Sequence, residues 1–83
     1  MEPDAIVKAL HSVADELTGY LPAENIQYFR EFIEHSEVGV GLEILLEQVR
    51  ESDIVLSKRA YSILEKAGRG FIDDDYFTEV KHR

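Results

Sequence analysis

His35-Ser36-Glu37-Val38-Gly39-Val40-Gly41-Leu42-Glu43-Ile44-Leu45-Leu46-Glu47-Gln48-Val49 reads as a helix that supplies both core and charge. At 3.6 residues per turn, Val38, Leu42, Leu45 and Val49 share one stripe, while Glu43, Glu47 and Glu51 form a row on the far side. Val40 and Ile44 add a second apolar stripe. A helix apolar on two sides should be covered on two sides, so this one is expected at the centre of the domain. It starts between Ser36 and Gly41 and runs to Glu51, with Gly39 and Gly41 each weakening its first turns by about 1 kcal/mol relative to alanine. Glycines so placed suit the close approach of a second helix. Gly39-x-Gly41 is no nucleotide loop, since it lacks both the third glycine of a dinucleotide fingerprint and the Gly-Lys-Ser/Thr of a P-loop.

Working outward, residues 22–35 form the preceding helix, opened by Pro22, with Ile26, Phe29 and Ile33 inward and Phe32 on their flank. Glu24, Gln27, Glu31 and Glu34 lie on the other side, and Tyr28 lies with them. A tyrosine among carboxylates suits a binding anchor, because it offers contact area at low entropy cost; packing of its ring under a neighbouring loop is the alternative. Residues 3–18 form the first helix, with Ile6, Leu10, Val13 and Leu17 buried, His11 on its polar side and Gly19 as a stop. After the central helix, Ser52–Leu56 reads as an extended connection. Ser57 caps a fourth helix over 58–67 that buries Ala60, Ile63, Leu64 and Ala67 and ends at Gly68. Phe71 and Ile72 are expected to plug the open end of the core. Asp73-Asp74-Asp75 caps a short last helix carrying Tyr76, Phe77 and Val80, with Lys81-His82-Arg83 at its negative end. The expected fold is all-α: one domain over residues 1–83, a bundle of four helices plus a short C-terminal helix.

Composition narrows the function. Nine basic and seventeen acidic residues give a formal net charge of −8, which disfavours nucleic acid and anionic membrane as direct partners and favours a basic protein. Solubility alone explains the same charge. With no cysteine there is no disulfide framework or thiolate chemistry, and a reducing compartment is permitted. The N-terminal stretch reads as neither signal peptide nor membrane span.

Chemistry-bearing patterns are missing. The Asp73–Asp75 run lacks the alternating ligands, central glycine and distal glutamate of a calcium loop; His11, His35 and His82 lie in separate segments without metal-site spacing. Serines 12, 36, 52, 57 and 62 have no nucleophile-elbow glycines beside them. The expectation is a binding protein without catalytic residues, metal or cofactor.

The run Glu34-His35-Ser36-Glu37-Val38-Gly39-Val40-Gly41-Leu42-Glu43-Ile44-Leu45-Leu46-Glu47-Gln48-Val49 resembles the central segment of MafI-family immunity proteins. In that family a His-Gly-Glu-type start leads into a Gly-Leu-Ala-Leu-Glu run and a Glu-Gln or Glu-Asn pair. Asp53-Ile54-Val55-Leu56, then Tyr61, then Leu64-Glu65-Lys66-Ala67-Gly68-Arg69 resemble the family's connection and following helix, so that the likeness covers about half the chain. Ser36 stands where glycine is usual, Gly41 where alanine is usual, and Val55 where a proline is expected. The resemblance implies a cytoplasmic bacterial antitoxin that binds and occludes a cognate toxin domain, the C-terminal part of a secreted polymorphic toxin, of which many are nucleases with basic grooves.

The family supplies no inhibitory residues to carry over. The helical wheels nominate Glu24, Tyr28, Glu31 and Glu34 on the second helix and Glu43, Glu47, Glu51 and Asp53 on and after the third, each also readable as solvated surface. Exposed Tyr28, Tyr61 and Tyr76 equally suit a homodimer. Two other classes compete. One is an acyl- or peptidyl-carrier-like protein, whose attachment serine would be Ser36, although that residue lacks an Asp-Ser-Leu setting. The other is a helical adaptor with a non-toxin partner.

Overall fold

The computed structural model describes residues 3–83; Met1 and Glu2 lie outside the described residues. The chain forms α1 (Pro3–Leu17), α2 (Ala23–Glu34), α3 (Val38–Glu51), β1 (Val55–Leu56), α4 (Lys58–Gly68), a 3-10 helix (Asp74–Phe77) and β2 (Lys81–His82). It is a small all-α domain with a minimal two-stranded sheet.

The helices end where the backbone demands it. Gly19 takes φ +94°, which glycine adopts without steric cost, and the N–H groups of Tyr20 and Leu21 return to the Leu17 carbonyl at 2.9 and 3.2 Å. Pro22 then starts α2. Between α2 and α3 only three residues intervene, and Ser36 makes the reversal with φ +60° while the Glu37 N–H donates to the Phe32 carbonyl at 2.8 Å. So short a turn makes α2 and α3 an αα-hairpin. Ser57 caps α4 as expected: its Oγ accepts from the Ala60 N–H at 3.0 Å and donates to Glu16 at 2.7 Å, tying α4 to α1.

The core is one cluster, with Leu10, Val13 and Leu17 of α1, Ile26, Phe29 and Ile33 of α2, Leu42, Leu45, Leu46 and Val49 of α3, and Ala60, Leu64 and Ala67 of α4. Leu21, Leu56 and Val80 close it from the connections. The closest helix approach is at Gly41: a Cβ there would lie 2.9 Å from the Phe32 Cβ and 3.6 Å from the Phe29 ring. The glycine is thus an approach glycine, as its position suggests. Gly39 faces the turn after α4, where a Cβ would meet Phe71 at ordinary contact distances of 3.5 and 3.6 Å.

Several expectations need correction. Val40 and Ile44 are 42% and 37% exposed, because α3 packs against α2, α4 and the 3-10 helix and none of these reaches its second stripe. The last segment is no α-helix: after four residues of 3-10 helix, Lys81 and His82 run parallel to Val55 and Leu56, and the Arg83 N–H donates to the Leu56 carbonyl at 3.0 Å. Val55 and Leu56 supply that ladder, so the tail satisfies its backbone by strand pairing. The expected extended connection is shorter than 52–56, because Ser52 and Asp53, the latter at φ +58°, make the turn that ends α3 and return the Asp53 and Ile54 N–H groups to the helix. At the end of α4, Gly68 lies inside the helix and packs under Ile72, while Gly70 with φ +83° makes the turn. Ile72 packs on the core; Phe71 does not and is 60% exposed.

The two α3 glycines predict opposite signs. Gly41→Ala destabilises by about 1 kcal/mol net, since overpacking against a backbone-proximal atom outweighs the gain in helix propensity. Gly39→Ala, with room for its methyl, stabilises by about 0.5 kcal/mol. Urea denaturation with unchanged slope checks both.

Candidate functional site

The nominated residues separate into engaged and free groups. Glu34 accepts from His11 Nε2 at 3.1 Å, and the other ring nitrogen of His11 accepts from Arg30 at 2.8 Å. Because a guanidinium only donates, the His11 proton sits on Nε2 toward Glu34. Arg30 also pairs with Asp15 at 2.6 Å, so His11 and Glu34 belong to a seam that fastens α1 to α2. Glu43 accepts from the Tyr76 hydroxyl at 2.6 Å, and Asp53 pairs with Lys81 at 2.7 Å. These three carboxylates thus hold the fold together at its edges. Among the described residues Glu24, Glu47 and Glu51 form no ion pair or side-chain hydrogen bond, and Glu31 has only a 3.4 Å contact with Gln27.

The tyrosines divide in the same way. Tyr61 stacks on His82 with ring centroids 3.7 Å apart and meets the Phe77 ring edge-on at 5.7 Å. Tyr76 is held by Glu43, whose hydrogen bond raises its hydroxyl pKa above the ordinary tyrosine value, helped by lost hydration and the charges of Glu43, Glu47 and Asp73. Tyr61 and Tyr76 are therefore half-buried and internally used, whereas Tyr28 is 58% exposed.

The free carboxylates and Tyr28 flank one seam. Around α2, at 100° per residue, Phe29 is followed away from the core by Phe32, Tyr28, Glu24 and Glu31. Around α3 the corresponding order from the α2 side is Gly41, Ile44, Glu51, Val40 and Glu47. Phe32 and Gly41 meet at the closest approach of the two helices, so Tyr28, Phe32, Ile44 and Val40 make one apolar strip over the joint. Glu24 and Glu31 border it on α2, Glu47 borders it on α3, and Glu51 closes its end at the last turn of α3. At the turn end, Tyr28, Glu31, Phe32, His35 and Glu37 line a shallow pocket of about 400 Å³.

The wheels put Tyr28 and the outer acids on the exposed side of α2 and α3, where the structure has them, but put Val40 and Ile44 inside and did not single out Phe32 or Glu37. A count of covering surface was the available signal: no further apolar helix follows to shield a second α3 stripe. Elsewhere, a hollow of about 660 Å³ lies between residues 17–20 and 52–57, yet Glu16 there is tied to Ser57 and Arg59 and Asp53 to Lys81. No group of three or more metal-binding side chains occurs among the described residues, and none of their helices is long and apolar enough to cross a membrane.

Comparisons of the chain with protein families, curated proteins and solved structures return no match.

The Tyr76–Glu43 bond has a pH signature. A hydroxyl whose folded pKa lies above its unfolded value of about 10 contributes stability below that value and loses it as pH rises through the raised one. Tyr76→Phe is expected to lower the melting temperature at pH 7, with the gap from the unmodified protein closing above pH ~10. Thermal unfolding across that range measures it.

Proposed function

We propose that this chain is an immunity-type inhibitor: it binds the toxic C-terminal domain of a secreted polymorphic toxin in the cytoplasm and blocks it by occlusion, with no chemistry of its own. The observation that carries this reading is the α2–α3 seam, an exposed apolar strip bordered on both sides by carboxylates that form no ion pair among the described residues. Buried apolar area at the centre and charge at the rim is the division of labour of a protein-binding surface. The sign of the rim fits a basic partner, such as a nuclease domain with a phosphate-binding groove, and an excess of eight negative charges accelerates association by steering.

The sequence resemblance supplies the class of partner, and one backbone feature accords with it. Ser36, standing where the family usually has glycine, adopts the left-handed conformation that glycine favours. Gly41, where alanine is usual, is a true departure here, since a methyl does not fit against Phe32.

The proposal predicts a toxin domain encoded next to this chain, and co-expression with that domain is the test. Growth should be restored and the two proteins should co-purify; undiminished killing without co-purification refutes the proposal. Glu31→Lys with Glu47→Lys leaves the fold intact, because among the described residues neither side chain is in an ion pair and Glu31 loses only an exposed contact with Gln27, and should slow association about tenfold at low salt while flattening its salt dependence. Stopped-flow mixing at several ionic strengths reads both effects.

A further inference from the structure

We infer that the pocket at the turn end of the α2–α3 seam receives an arginine side chain of the partner. This rests on the seam being the partner's site and goes beyond it by naming the chemistry recognised. The pocket combines two aromatic rings, Tyr28 and Phe32, one turn apart on α2, with two carboxylates, Glu31 from α2 and Glu37 from the start of α3. Tyr28 is 58% exposed, so its ring is available to a ligand, and Phe32 is fixed from behind by the Gly41 contact. Glu37 forms no ion pair among the described residues, and its side chain does not cap α3 although it stands at the N-cap position.

Aromatic rings beside exposed carboxylates that form no ion pair among the described residues suit a cation. A guanidinium stacks flat on a ring and keeps its edge N–H groups for carboxylate oxygens, and it is less strongly hydrated than an ammonium, so arginine gains more than lysine from such walls. A volume of about 400 Å³ accommodates one long side chain and no folded element, so the rest of the contact falls on the neighbouring Val40 and Ile44 strip. A second copy of this chain is a poor occupant, because the seam would face its own carboxylate rows.

The test needs no toxin. The full-length protein is titrated with the blocked tripeptide acetyl-Gly-Arg-Gly-amide and with its lysine and citrulline counterparts, followed by NMR of the Tyr28, Phe32 and His35 signals. Saturable shifts confined to these residues, strongest with arginine and absent with citrulline, are expected. Tyr28→Ala should weaken arginine binding about three- to fivefold and Tyr28→Phe should preserve it. Shifts spread over the whole acidic surface, equal binding of citrulline or lysine, or an unchanged affinity in Tyr28→Ala would overturn the assignment. Toxin rescue is read separately, so the pocket can fail while inhibition stands, and inhibition can fail while the pocket binds arginine.

Discussion

The fold depends on how closely α2 and α3 approach at Gly41. With no Cβ between them, the Phe32 and Phe29 side chains lie directly on the α3 backbone. That contact sets the rotation of α2 about its own axis, turning Ile26, Phe29 and Ile33 into the core and leaving Phe32 half-covered at the joint. It also fixes what stays outside. Tyr28 stands one turn from Phe32, and Ile44 one turn from Gly41, so the approach that closes the core creates the apolar strip above it.

Much of this was legible in the residues. The helix stripes, the Ser57 cap, the Gly19 stop and the purpose of Gly41 all follow from local spacing, where one residue's chemistry suffices. The errors share a cause: each required knowing what else in the chain was free to pack. Val40 and Ile44 look like core because they are apolar and regularly spaced, but burial needs a covering element. The tail looks helical because Asp73–Asp75 suits a cap, but an extended segment 26 residues earlier offers its backbone a better partner. Pairing between distant segments leaves no local trace in composition.

Charge tells a parallel story. Asp15, Glu16, Glu34, Glu43 and Asp53 contact side chains of other elements, whereas Glu24, Glu47 and Glu51 have no such contact among the described residues. The wheels grouped Glu43 with Glu47 because they share a face, although the neighbour that distinguishes them is a tyrosine 33 residues away. Among the described residues, Glu24, Glu37, Glu47 and Glu51 are unengaged beside the seam and Asp4, Glu65, Asp73, Asp74, Asp75 and Glu79 are unengaged elsewhere, so the apolar strip, and not charge alone, distinguishes the seam.

The C-terminal strand has a kinetic consequence. An αα-hairpin with a three-residue turn closes with little loss of chain entropy, whereas the parallel β1–β2 pair waits until α4 has docked between its strands. Release of the tail would free Glu43 from Tyr76 and Asp53 from Lys81 together. Because Tyr76 is neutral and Lys81 is charged, detachment would leave the charge at Glu43 as it is and would remove the cation beside Asp53, so the folded tail trims the negative field only at the C-terminal end of α3.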